Sequence, residues 1–373
     1  MTGRGLTVLL VRAAYAVALI GAVALGYLYL TVSAGNGTLG YDFKAYDFAV
    51  DRLLAGRSMY DPSATSIGAF GLFLYPPPFA ILILPFALLP SGLDVTVWTL
   101  ALVGATVGAV ALLPVSQRVR FIVLLLAAFS WPVLFSIKLG QVGPVLLLLF
   151  VVGWRSLDRP WRFGLAAGLG TLIKVQPALL IGWAVVTGRR RAAVVAIGVV
   201  AVFAIIATIV AGPTAWLDEL ALLGRASNPV LNGHGFGFGR LAYEAGASEA
   251  AATIIHWANA ALVVLVTAFA IWRLPAVASY LAVVIASQFL SPVLWDHYAL
   301  ILLIPTAWLL SRGRWWAVVI PLATSTILVG VSPPIIYPVA YWTALLGVVL
   351  EGMRDRASST AGSAPAPAVE APA

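Results

Sequence analysis

An all-α polytopic membrane protein is the fold class this sequence predicts, and three observations predict it. Hydrophobic residues make up 62% of the 373 positions and charged residues 10%, against roughly 25% charged in a soluble domain. Mean hydropathy is +1.01, and apolar runs long enough to cross a bilayer recur along most of the chain. The arginines gather at the ends of those runs, as the positive-inside rule requires of cytoplasmic loops. The net charge of +8 therefore reads as membrane orientation, and nucleic acid is excluded as a partner. With no cysteine, disulfides, thiolate metal sites and cysteine nucleophiles are excluded together.

The first apolar run, Leu6 to Val32, is long enough to span and carries no clear signal-peptide cleavage site. Arg4 and Arg12 before and within it place the N-terminus inside and the first loop, about 33–73, outside. Further spans are expected at about 74–90, 94–113, 121–135, 143–154, 163–187, 192–211, 253–272, 277–290, 298–311, 315–330 and 335–350. Arg189 to Arg191, Arg273, Arg312/Arg314 and Arg354/Arg356 obey the charge rule, leaving a second external loop at about 212–252. Arg118/Arg120 and Arg155/Arg159/Arg162 do not, unless short or half-crossing helices occur near Gly140-Gln141 or Lys174. The total is about 11 or 12 crossings. The integral domain covers 1–353; residues 354–373 form a cytoplasmic tail, Ala/Pro/Ser-rich from Ala357 and expected to be disordered.

The first loop holds four of the 14 acids: Asp42, Asp47, Asp51 and Asp61. Phe43, Tyr46, Val50, Leu53 and Leu54 recur at helical spacing, which predicts an amphipathic helix over 43–55 lying along the membrane face. Gly56 is its stop signal, and Tyr75-Pro76-Pro77-Pro78 marks re-entry into the membrane. At about 100° per residue Asp42 projects with Tyr46 and Leu53, while Asp47 and Asp51 project from the other side, solvated or paired with Arg52 or Arg57. Asp42 is also placed to N-cap the helix. Asp61 before Pro62 reads as a turn residue.

These residues resemble a known family. Asp42-Phe43-x-x-Tyr46, Leu54-Ala55-Gly56-x-x-x-Tyr60 and Tyr75-Pro76-Pro77 are similar to the first loop of glycosyltransferase family 87. Its members are polyprenol-phosphate-mannose-dependent α-mannosyltransferases of actinobacterial cell envelopes. Gly140-Gln141-Val142-Gly143, Ile173-Lys174-Val175-Gln176-Pro177 and Ser291-Pro292-Val293-Leu294-Trp295-Asp296-His297 agree with it in order. Two departures concern substrate identity. Tyr298 stands where the family often has a second histidine, and Asn232-Gly233-His234 replaces an Asn-Gln-Ser-like patch. The resemblance implies a GT-C-type fold and an inverting transfer of mannose from polyprenyl phosphate to a lipid or glycan acceptor, on the extracytoplasmic face of the plasma membrane.

That reaction needs one base for the acceptor hydroxyl and positive charge for the departing phosphate, unlike a glycosidase with two carboxylates. The resemblance assigns the base to Asp42. The chain has only three lysines, Lys44, Lys138 and Lys174, all beside motif positions. Lys174 lies inside an apolar run, where a cation costs about 2.5–3.5 kcal/mol on insertion scales. Lys174, His297, Lys44, Gln141, Lys138 and Arg240 are the candidates for the donor phosphate and sugar. Tyr46, Tyr60, Tyr75, Trp295, Asp296, His234 and Asn232 are the candidates for lining the substrate cavity, with Asp296 also placed to orient His297. Trp295 and Tyr298 read equally as an aromatic belt, and His256 as structural. No metal-ligand spacing appears, and no cofactor beyond the lipid-linked donor is expected; the resemblance requires no divalent ion. The glycines from Gly233 to Gly239 follow no strand and do not form a nucleotide loop.

A transporter or flippase is the competing class, since an intramembrane lysine fits either. Paired repeats with matching broken helices, common in transporters, are not evident, and the acids gather on one side. An inactive relative serving in an assembly is a third reading.

Overall fold

The computed structural model describes residues 3–60, 72–331 and 333–361, and every regular element among them is a helix. Helix α1 (Gly3–Gly35) exposes Val17, Ile20, Tyr27 and Leu28, an apolar surface suited to lipid and not to water. Helix α2 (Tyr41–Leu54) is the amphipathic helix of the first loop, burying Phe43, Tyr46 and Val50. Leu54 is exposed and so leaves the apolar face expected of it. Gly56, with φ +67°, stands after the last turn as expected of a stop residue.

Prolines interrupt much of the bundle. Helix α3 (Pro77–Ala87) begins on Pro77, where the missing N–H costs nothing. Helices α4 (Leu93–Leu112), α5 (Gln117–Ala128), α6 (Trp131–Leu139) and α7 (Gly143–Arg155) come after it. Next are α8 (Pro160–Ile173), α9 (Ala178–Val186) and α10 (Arg190–Ala211). The second loop contains α11 (Thr214–Ala226) and α12 (Phe238–Glu244), and α13 (Glu249–Arg273) and α14 (Ala276–Phe289) return through the bundle. A 3₁₀ turn, Asp296–Leu302, leads into α15 (Leu303–Ser311); α16 (Val319–Ala323) lies between two more 3₁₀ turns, and α17 (Ile336–Ala361) closes the described chain.

Among the described residues five helices are long and apolar enough to cross a membrane: parts of α1 and α17, with α4, α10 and α13. A sixth span results if α5 and α6, bent by 60° between them, are counted as one. The remaining expected crossings fall on shorter apolar helices, and 315–330 on 3₁₀ turns and α16. Pro132, Pro144 and Pro177 stand at the breaks, where a ring without an N–H interrupts the ladder. The half-crossing helices expected near Gly140-Gln141 and Lys174 are the α6–α7 and α8–α9 breaks.

Helix α14 is the centre of the bundle, buried on every side from Ala278 to Phe289. The Tyr280 hydroxyl donates to Phe150 O at 2.6 Å, and Trp183 Nε1 donates to Ser279 Oγ at 3.0 Å, fastening α14 to α7 and α9. At the far end α17 runs past the expected start of the tail. It stays helical to Ala361, held by Arg312–Asp355 at 2.6 Å, Arg314–Glu351 at 2.7 Å and Arg354–Glu351 at 3.0 Å. Residues 362–373 of the expected tail lie outside the described residues.

Candidate active site

The first turn of α2 is seated on the α6–α7 break. Gly40 N donates to Lys138 O at 2.7 Å, and Trp98 Nε1 donates to Gly140 O at 2.7 Å. Gly140 has φ +75°, and a Cβ there would lie 2.8 Å from Phe43 Cβ. Only glycine permits both that left-handed turn and that approach. The seating brings Asp42 against Gln141, 99 positions away in sequence. Gly40, not Asp42, is the N-cap, and no side chain caps the helix; the Asp42 carboxylate is turned to Gln141 instead.

A directed chain of hydrogen bonds ends on that carboxylate. The Tyr46 hydroxyl donates to the Tyr75 hydroxyl at 2.8 Å, and Tyr75 donates to Gln141 Oε1 at 2.8 Å. Gln141 Nε2 then donates to Asp42 Oδ2. With Oε1 committed to Tyr75, the amide has one orientation and one role. Tyr60 donates to Tyr75 O at 2.7 Å, so its hydroxyl braces the chain instead of lining a substrate surface. Gln141, expected on the donor, spends its amide on Asp42 and Tyr75. The Asp42 carboxyl lies above its ordinary pKa because of burial, and is drawn back by His297, by the Gln141 bond and by Lys174. The two cationic candidates thus lie near enough to Asp42 to favour its ionised form.

Lys174 stands at a break in its expected span and not on a continuous helix. Its backbone is extended (φ −143°, ψ 145°) at the end of α8, in the α8–α9 break. Its residue is 8% exposed, with Nζ 4.0 Å from the centroid of the Tyr298 ring and 5.8 Å from that of Tyr75. Among the described residues no carboxylate oxygen lies within 4.0 Å of it. His297, 2% exposed, stands on the 3₁₀ turn after α14. Neither ring nitrogen makes a hydrogen bond among the described residues; Nδ1 lies 3.4 Å from Asp296 Oδ1, close but poorly aligned. Asp296 itself accepts from Trp131 Nε1 at 2.9 Å and from His297 N at 2.7 Å. The short motifs meet here: Gln176 Nε2 donates to Ser291 Oγ at 3.5 Å.

The first and second loops are joined to each other and to this cluster. Ser58 Oγ donates to Asp218 Oδ2 at 2.5 Å, joining the first loop to α11, and Phe236 N donates to Leu294 O at 2.7 Å. His234 is parallel to Trp295 (centroids 5.6 Å, 9°), and Trp295 is 5.7 Å from His297. Asn232 Oδ1 accepts from His234 N at 3.0 Å, while its Nδ2 is buried without a partner among the described residues. Lys138 Nζ lies over Phe135 at 5.5 Å, and Phe135 is 6.2 Å from His297. Lys44 is half-buried on α2.

Arg240, expected on the donor, is engaged within the second loop. It pairs with Glu244 at 2.8 Å, donates to Val230 O at 3.1 Å and lies over Tyr243 at 5.8 Å, which makes it a brace of the second loop. Arg52 serves Ser58 O and Tyr60 O, not Asp47 or Asp51. Asp51 is exposed as expected, but Asp47 is half-buried, its pKa pushed up to about 6 by burial and by Asp51 and Asp94. Asp61 lies outside the described residues. His256 packs its ring on Trp257 at 5.0 Å, in keeping with a structural role. Sequence reasoning missed Trp131, whose partner is 165 positions away, and saw Tyr298 as a departure or as part of an aromatic belt. Among the described residues no group of three or more His, Cys, Asp or Glu could hold a metal ion.

A family model, glycosyltransferase family 87, matches residues 73–294. The chain belongs to glycosyltransferase family 87. Similar curated members come from mycobacteria. One, from Mycobacterium tuberculosis, is named polyprenol-phosphate-mannose-dependent alpha-(1-2)-phosphatidylinositol mannoside mannosyltransferase; it is 31% identical over 223 residues, 54% of this chain and 51% of its own. Two are named as the corresponding pentamannoside mannosyltransferases. That of M. tuberculosis is 28% identical over 266 residues (64% and 58%), and that of Mycolicibacterium smegmatis 32% over 212 residues (54% and 51%). The matches thus span little more than half the length of these relatives. No solved structure matches the chain. The all-helical architecture is that expected of a family 87 membrane protein with a GT-C-type fold. The matched stretch holds Tyr75, Gln141 and Lys174; Asp42 precedes it and His297 lies beyond its end.

Proposed function

We propose that this family 87 protein transfers mannose, with inversion at C1, from polyprenyl-phosphate-mannose to a lipid-linked or cell-envelope glycan acceptor. The observation that carries the reading is the opposition of two unlike groups. A carboxylate is fixed by a directed hydrogen-bond chain, and across from it a buried lysine lacks any carboxylate partner among the described residues. The relatives' dependence on polyprenol-phosphate-mannose supports the donor, and favours an enzyme over a transporter.

Asp42 takes the proton from the acceptor hydroxyl as that oxygen bonds to C1. The bond from C1 to the phosphate oxygen breaks, and polyprenyl phosphate leaves with the bonding pair. Lys174 and His297 stabilise the charge that develops on the phosphate, most strongly in a water-poor site. Gln141 holds one Asp42 oxygen, so that the other meets the acceptor at a fixed angle. His234, Trp295 and Asn232 line the substrate cavity beside His297. The positive-inside rule supports a site on the outer face of the plasma membrane. The reaction needs no metal: excess chelator is expected to leave the rate unchanged, and a loss restored by Mg²⁺ or Mn²⁺ would refute that.

The test is transfer in liposomes from synthetic polyprenyl-phosphate-mannose to a panel of mannosides, wild type beside Asp42→Asn. Transfer by wild type alone supports donor, reaction and base together. Transfer by both removes Asp42 as the base, and transfer by neither removes the reaction.

A further inference from the structure

Lys174 is held by rings where a buried lysine ordinarily has an acid. Nζ stands 4.0 Å from the Tyr298 ring centroid, with Tyr75 as a second wall at 5.8 Å. The Tyr75 ring is itself locked, because its hydroxyl accepts from Tyr46 and donates to Gln141. Tyr298 is locked from behind, packed edge-on against His297 (4.9 Å, 87°), with its backbone N–H on Trp295 O at 3.2 Å. A ring face attracts an ammonium through its quadrupole without neutralising it or accepting its N–H groups as an oxygen would. A carboxylate in the same place would compete with phosphate for those donors.

We propose that Tyr298 is a positioning residue whose ring face steers the Lys174 ammonium toward the donor phosphate and leaves its N–H groups to that ligand. The inference rests on polyprenyl-phosphate-mannose being the donor. It assigns the role to the face of the ring, not to the hydroxyl, for which no hydrogen bond occurs among the described residues. It also separates Tyr298 from an aromatic belt, whose rings sit at headgroup level and hold no cation in place.

The experiment reads binding, so that it does not depend on turnover. Full-length protein in nanodiscs is titrated with a synthetic short-chain prenyl phosphate. Position 298 carries Tyr, Phe, Leu, or phenylalanine with one, two or three ring fluorines. Fluorine weakens the quadrupole and scarcely alters ring shape. Tyr298→Phe is expected to bind within about twofold of wild type. Successive fluorines should then weaken Kd stepwise, by about 2- to 30-fold in all, the range that a cation–π contact of partly to fully desolvated character supports. A merely packing role would be indifferent to fluorine count. A flat series overturns the proposal, as does a Tyr298→Phe variant as weak as Tyr298→Leu. A slope that persists unchanged in a Lys174→Met background also overturns it. Mannose transfer by wild type with a flat series removes this inference alone. A graded series without transfer removes the enzymatic reading and leaves the phosphate cage standing.

Discussion

The two sides of the site are built on opposite terms. On the Asp42 side polar atoms are matched within the protein: Tyr46, Tyr75 and Gln141 form a chain with a defined direction, and Tyr60 supports it. On the Lys174–His297 side they are not. Lys174 has rings for neighbours, and both nitrogens of His297 are buried without hydrogen bonds among the described residues. Buried polar groups without partners cost about 1–3 kcal/mol each, so such a cluster persists where function maintains it. A base works best when its orientation is fixed before the substrate arrives; a phosphate-binding lysine works best when no internal acid competes for it, and of the pair only His297 has one nearby, Asp296 Oδ1 at 3.4 Å. The contrast therefore separates a pre-set half from a half completed by its ligand.

Asp42→Asn breaks the pre-set half most severely. The amide keeps the shape and a bond to Gln141 but cannot take a proton. Transfer is expected to fall by about 10²–10⁴-fold, the usual contribution of a general base, with an unchanged size-exclusion profile and melting temperature. Lys174→Met tests the other half. It should lower kcat/KM by about 10²–10³-fold, as loss of one preorganised charge-stabilising group does, without lowering the melting temperature, because no ion pair is broken. Destabilisation by Lys174→Met would mean that the lysine is structural and would erase the contrast.

How much of this was legible in the sequence obeys the same division. Positions governed by local rules were readable: the α2 amphipathic pattern, the stop at Gly56, the re-entry at Tyr75 to Pro78, and the cation in an apolar run at Lys174. Crossing number was less so, because prolines and the 3₁₀ turns leave several apolar segments too short to span alone. Pairings across long separations were not readable. Nothing near Gln141 says that it will bind Asp42, and nothing near Trp131 points to Asp296. Arg240 was read without its neighbour Glu244, although an i,i+4 pair is the kind of contact that helical spacing shows. Tyr298 showed as a departure or a belt residue, since a ring's value to a lysine depends on where the chain folds it.

Gln141→Leu would sharpen the comparison through pH. The Gln141 bond is one of the influences that lower the raised pKa of Asp42. Removing it should raise that pKa further. Because the base acts only when ionised, the acid limb of kcat against pH should move upward, lowering kcat on the acid side of the profile. A fall in kcat with an unmoved acid limb would mean that Gln141 positions substrate and does not tune the base.

The smallest effect is expected at Glu219, outside the contrast but on the second loop, which is joined to it. This residue of α11 is buried, and burial pushes its pKa up to about 7 from 4.5. The folded state therefore holds a proton that the unfolded chain releases at lower pH. Between the two values the native state binds more protons, so stability falls as pH rises through that window and the full penalty is present above about 7. Glu219→Gln, neutral throughout, should raise the melting temperature at about pH 8 by a few degrees at most and change it little at about pH 4. The wild-type decline across the window should flatten. Since Ser58 joins the neighbouring Asp218, the same variant would show whether α11 holds the first loop by packing or by charge. A flattened stability profile with unaltered transfer would assign it to packing.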